Sequence, residues 1–370
     1  MTSPASTEPA IVVDGVFFQL NRTGIARVWK EILTRWQDRD IGRRIVVIDR
    51  DGSLPQFTNL RRVAAPPLDY KHWPQDRVSM QNICDSVGAG LFISTYYTRP
   101  ERTRSFLFIH DMIPERIGYD LRDPMWQQKH DAIRHAAAFA ANSKHTLSDL
   151  WALFPETRGK PAGVTYPGVS PELSPSSPDE QQAFHERFVG PYLSGRPYFL
   201  FVSDHWPYKN ANLLYQSLGS LPRSMLDSVG LLLTQKELLE RFRSLPGLSV
   251  HAQWLSDADL RLAYGSAIAL IYPSLYEGFG LPALEAMACG CPVVCTNRTS
   301  LPEVVGDAAL ITHPFDHNIL RNNLLSLQKP DVPQEFRRRG LERATHFSWD
   351  KMASELAGLV TNCVTTTDGR

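Results

Sequence analysis

The chain has 370 residues, more than a single hydrophobic core usually serves, so two domains with a ligand cleft between them are expected. Its 39 basic and 39 acidic residues cancel, which leaves no net field to draw in nucleic acid or an anionic membrane, so an anionic ligand has to be held locally. Apolar runs such as Ala267–Tyr272 fall well short of the roughly 20 residues that cross a bilayer. The N-terminal MTSPASTEPA lacks the basic and apolar regions of a secretory signal, so the expected location is the cytoplasm, with at most peripheral contact at the inner face of the membrane.

Five cysteines in such a chain argue against a disulfide framework. Cys289, Cys291 and Cys295 lack the fourth ligand and the spacing of a zinc site, so no metal is expected there. They read as small buried residues where a helix joins a strand. Asn21-Arg22-Thr23 and Asn297-Arg298-Thr299 match the glycosylation acceptor pattern, but that chemistry requires secretion.

In chain order, residues 1–9 read as a disordered lead-in. AIVVDGVFF then reads as a strand, and RVWKEILTRW as a helix whose Trp29, Ile32, Leu33 and Trp36 form a core-facing stripe. RRIVVID, LFIST and SFLFIHDM follow as strands, then an Ala-rich helix. SPELSPSSPDEQQ, residues 170–182, is rich in Pro and Ser and reads as a linker, dividing the chain into domains 1–182 and 183–370. A second series runs through YFLFVSD, NLLYQSL, VGLLLT, LSVHAQW, LRLAYGSA and IALIYPS to PVVCT and AALIT. The last helical pattern, near 347–360, either caps the second domain or crosses back to the first. Strands alternating with helices imply parallel sheets with crossover helices, so the class is α/β with two Rossmann-like domains.

One segment carries chemistry. In PSLYEGFGLPALEAMACGCPVV a strand ends near Pro273, a turn containing Gly278 and Gly280 follows, and a helix starts near Leu281 or Pro282. Pro282 suits a first helical turn, and Gly290 with Pro292 suits the stop. Glycine lets the loop backbone approach a ligand, and the amides of Phe279, Gly280 and Leu281 at a helix N-terminus suit a phosphate. Glu277 and Glu285 beside an anion site need another purpose, and sugar hydroxyls are natural donors to them.

Residues 273–302 closely resemble the donor-site signature of the family-four retaining glycosyltransferases of GT-B fold, whose hallmark is Glu, seven residues, Glu. KNANLL resembles the stretch that opens the family's donor domain, NRTGIARV the loop after the first strand, and IHDMIPE its His-Asp stretch. The resemblance implies two parallel sheets facing each other across a cleft, with an N-terminal acceptor domain and a C-terminal domain for a nucleotide diphosphate sugar. It implies that Lys209 holds the diphosphate, Glu277 the donor sugar and Glu285 the ribose. Gly24 would lie by the transferred sugar, Arg27 by a phosphate, and His110 would contact the sugar or relay charge. The loop at Trp254 and Leu255 would help to set the donor's identity.

The reaction so implied is metal-independent and retaining, with the acceptor attacking from the leaving-group side. No cofactor is called for beyond the nucleotide sugar, and the acceptor is a glycan, a lipid-linked glycan or a small molecule. TGIAR and HDMIP are similar to forms in bacterial surface-polysaccharide mannosyltransferases, which favours mannose and a guanine over a uridine nucleotide. The sequence departs from the family at Ser203 and Asp204, where Gly then Arg or Thr is frequent. Tyr208 stands for a frequent Arg, and Gln253 for a common Gly. Two alternatives stay open: a nucleotide-sugar epimerase of the same fold, and an inactive sugar-nucleotide-binding partner subunit.

Overall fold

A computed structural model of the chain describes residues 8–20, 24–203 and 206–365. Most of the lead-in, Asn21-Arg22-Thr23 and Asp204 lie outside the described residues. The contacts divide the chain into two units: unit 1 is residues 1–168 with 349–370, and unit 2 is residues 169–348.

Unit 1 is built on a sheet of seven strands: β1 (Ala10–Asp14), β2 (Ile45–Arg50), β3 (Arg61–Ala65), β4 (Ala89–Ser94), β5 (Ser105–Ile109), β6 (Ala138–Ala141) and β7 (Ala162–Val164). They lie in the order β3-β2-β1-β4-β5-β6-β7, and all pairs are parallel. β1, β2 and β5 are buried along their whole length, which is why they read as near-continuous apolar runs and not as alternating ones. The run AIVVDGVFF divides at Gly15: Val16–Leu20 turns into a short helix, and the Phe17 amide donates to Thr95 Oγ1 at 2.9 Å.

The Ala-rich stretch is also only partly helical. Helix Pro124–His135 ends there and Ala138–Ala141 becomes β6, since a strand between β5 and β7 buries its small side chains in a closely packed layer. Tertiary packing overrides alanine's helix propensity. β3 was not expected at all, because RRVAA is a mostly exposed edge strand without an apolar pattern.

Helix Gly24–Trp36 buries Trp29, Ile32, Leu33 and Trp36 completely. The Trp36 indole donates to the Ala353 carbonyl at 2.8 Å, so helix Trp349–Thr365 packs on this face and the stripe is core. That final helix belongs to unit 1. No helix among the described residues is long and apolar enough to cross a membrane.

Unit 2 has six strands: β8 (Tyr198–Phe201), β9 (Gly230–Leu233), β10 (Ser249–Ala252), β11 (Ala269–Tyr272), β12 (Val293–Thr296) and β13 (Leu310–Thr312). Their order is β10-β9-β8-β11-β12-β13, again all parallel. Residues 170–182 count with this unit, and Ser177 caps helix Pro178–Phe184 in a reciprocal capping box with Glu180. The sheet order reverses between β8 and β11, and in open parallel sheets the loops after two such strands form the ligand crevice.

Candidate active site

The loops after β8 and β11 bring Lys209 and Glu277 together. Lys209 closes a short 3-10 turn, Pro207–Lys209, and Asn210 follows in the left-handed region at φ 57°. The Asn210 side chain donates to the carbonyls of Pro273 at 3.1 Å and Pro314 at 2.9 Å, which ties this turn to the loops after β11 and β13. The Leu275 amide donates to the Tyr208 carbonyl at 2.7 Å. Held in this way, Lys209 Nζ lies 2.8 Å from Glu277 Oε1, with side-chain exposures of 13% and 9%.

The loop from Pro273 to Gly280 is buried except at half-buried Leu275, and it is held from the β12 side. The Glu277 amide donates to Thr299 Oγ1 at 3.0 Å. The Ser300 hydroxyl reaches the carbonyls of Glu277 at 3.0 Å and Phe279 at 2.8 Å, and the Thr296 hydroxyl donates to the Ser274 carbonyl at 2.6 Å. Gly280 sits at φ 108°, where a side chain would be strained, and a Cβ there would come within 2.7 Å of Leu301 Cδ2.

Helix Leu281–Ala288 starts directly after Gly280, with Pro282 in its first turn and no side chain capping that end. Its N-terminal dipole therefore points where an anion would be stabilised. The helix stops before Gly290, which is left-handed at φ 72°. Glu285, one turn in, is 5% exposed, and the Tyr264 hydroxyl donates to its Oε2 at 3.5 Å. Each carboxylate is thus buried with its own partners.

Cys289, Cys291 and Cys295 are buried free thiols, each pushed up to about 12 by burial. Among the described residues no cluster of three His, Cys, Asp or Glu side chains is placed to hold a metal ion.

Ser203 lies two residues past β8, with its amide donating to Thr234 Oγ1 and its carbonyl accepting from the same hydroxyl, both at 3.1 Å. Here it links the β8 and β9 loops. Tyr208 places its ring centroid 5.1 Å from Lys209 Nζ, a cation–π distance, so it supports the cation where an Arg would have added a second one. Trp254, in the loop after β10, is 74% exposed, whereas Leu255 is buried.

Gly24, Arg27 and His110 belong to unit 1. Gly24 and Arg27 are half-buried on the first turn of their helix. His110, just after β5, is 4% exposed. The Trp29 indole can only donate, so His110 Nε2 accepts from it at 3.2 Å, and a backbone hydrogen bond to Thr95 engages the ring as well. Burial above all lowers its pKa to about 3, so the ring is neutral at pH 7.

The sequence did not single out Tyr272, the last residue of β11. Its hydroxyl is 3.4 Å from Lys209 Nζ, the same ammonium that Glu277 holds. A tyrosine ending an otherwise apolar strand, ALIY, is the only signal it gives.

Two parallel-sheet α/β units, with a buried lysine–glutamate pair at the switch point of the second and an uncapped helix behind a glycine loop, fit the GT-B glycosyltransferases. Residues 184–343 match the family of glycosyl transferases group 1. The chain is 31% identical over 274 residues to the O-antigen chain mannosyltransferase B of Escherichia coli, covering 70% of this chain and 71% of that protein. It belongs to the group 1 glycosyltransferases. A 108-residue stretch is 44% identical to the MMP alpha-(1->4)-mannosyltransferase of Mycolicibacterium hassiacum, 27% of this chain and 26% of that one. The solved sucrose-phosphate synthase of Thermosynechococcus elongatus shares the fold, with a TM-score of 0.76 at 16% identity over 97% of this chain and 100% of the other.

Proposed function

We propose that the chain transfers a hexose, mannose in the first instance, from a nucleoside diphosphate sugar to a glycan or lipid-linked glycan in surface-polysaccharide assembly, with retention at the anomeric carbon. The Lys209–Glu277 pair at the β8/β11 switch point carries this reading. As the sugar takes on oxocarbenium character, negative charge grows on the departing diphosphate. Lys209 and the amides of Phe279, Gly280 and Leu281 meet that charge, so no metal is required. Glu277 orients the sugar by accepting from its hydroxyls, and Glu285 accepts from the ribose. A phosphate oxygen takes the acceptor's proton, so no protein nucleophile is needed.

The names of the two mannosyltransferase relatives support mannose. For the base we favour guanine over uracil, with exposed Trp254 available to stack on it. Unit 1 supplies the acceptor side, with Gly24, Arg27 and His110 in the roles the family resemblance assigns them.

The test incubates the purified chain with GDP-mannose, GDP-glucose, UDP-glucose and UDP-galactose and a mannose oligosaccharide, and follows nucleotide release and the product's anomeric configuration by NMR. Release from GDP-mannose with an α-linked product is expected. A β-linked product would overturn retention, and no release from any donor would support an inactive binding subunit instead.

A further inference from the structure

Tyr272 closes β11 with 1% exposure, directly against the Lys209–Glu277 pair. The three groups form a closed set. The lysine ammonium donates to Glu277 Oε1 at 2.8 Å and lies 3.4 Å from the Tyr272 hydroxyl, which is thereby placed beside the carboxylate. An ammonium only donates, so the hydroxyl accepts from Lys209 and keeps its own proton to offer to the Glu277 carboxylate, which only accepts. The rings of Tyr208 and Tyr272 flank the ammonium, with centroids at 5.1 and 5.3 Å. Burial, then the charge of Glu277, holds the Tyr272 phenol well above its ordinary pKa, so it keeps that proton at pH 7.

In the unliganded chain Lys209 is already committed to Glu277. A diphosphate that recruits the lysine leaves a buried carboxylate short of its cation, which is costly unless another donor holds it. We propose that Tyr272 is a positioning residue whose hydroxyl donates to Glu277 and keeps it aimed when Lys209 turns to the diphosphate of the donor. This rests on the donor-site reading above. The hydroxyl is the essential feature, and the ring alone does not supply it.

The experiment titrates GDP, UDP, ADP and dTDP into the wild-type chain by calorimetry and carries the tightest binder forward. Tyr272→Phe keeps the ring and is expected to bind that nucleotide roughly tenfold more weakly or worse, the loss of a hydrogen bond to a charged group. With Glu277→Gln already in place, the same change is expected to cost less than about twofold, because a neutral amide needs no replacement donor. Thermal unfolding checks that the variants fold. Wild-type affinity in Tyr272→Phe, or an equal loss in both backgrounds, overturns the proposal and leaves Tyr272 a structural residue. If none of the four nucleotides binds the wild type, the donor-site reading itself fails and this inference with it.

Discussion

Lys209 and Glu277 stand 68 positions apart in sequence, yet their charged groups meet at 2.8 Å in a mostly buried pair. Each residue is therefore the other's structural counter-ion, besides the ligand-binding role we propose for it. Mutation of either is expected to affect stability as well as affinity.

Lys209→Ala should raise the dissociation constant of a nucleoside diphosphate by about tenfold or more, the worth of a charged hydrogen bond. It should also lower unfolding free energy by roughly 1–3 kcal/mol, because Glu277 loses its cation while buried. Adding Glu277→Gln should restore part of the stability and none of the affinity. Calorimetric titration and chemical denaturation of the two variants measure both effects.

Ser300→Ala removes the hydroxyl that reaches the carbonyls of Glu277 and Phe279. A loss of about 1–2 kcal/mol of stability is expected, together with a raised KM for the donor, since the glycine loop is no longer held from β12. Steady-state kinetics beside urea unfolding would show it, and an unchanged KM would mean the loop holds its shape without this contact.

Gly280→Ala forces a side chain into φ 108° and against Leu301. The backbone conformation alone costs of order 1–3 kcal/mol, and relief requires the loop to move away from the helix N-terminus. Transfer activity should fall more than stability does, a comparison that initial rates and thermal melts make directly.

The buried His110 titrates at about 3 when folded, against an ordinary value near 6.5. Between those values the unfolded chain binds the extra proton. The neutral ring's contribution to stability is thus full above pH 6.5 and is lost as pH falls toward 3. His110→Gln should flatten the rise of unfolding free energy with pH in that window by about one proton. An unchanged slope from denaturation at pH 4 to 7 would show that the ring is charged in the folded chain.

The loop and helix from Pro273 to Gly290 were legible because the glycines and the proline there each have a local reason for their positions: Gly280 for its positive φ, Pro282 for the first helical turn, Gly290 for the stop. The strand-helix alternation was legible for a similar reason, since fully buried parallel strands must be apolar. What sequence could not supply was partnership across the sheet. Nothing near Tyr272 in the chain says that β8 will place a lysine beside it, and nothing in IVVIDR says that Arg50 will bond Asp14 at 2.8 and 2.7 Å in full burial. β6 was misread as helix because its alanines fit a helix locally, and only the strands on either side decide otherwise.

The most direct measurement compares turnover of GDP-mannose by the wild type and by Glu277→Gln at saturating donor, with a mannose oligosaccharide as acceptor. The wild type should release GDP and lengthen the oligosaccharide, while Glu277→Gln should turn over at least about tenfold more slowly, as loss of a charged hydrogen bond to the reacting sugar requires. Equal rates for the two proteins would contradict the assignment of Glu277 to the donor sugar.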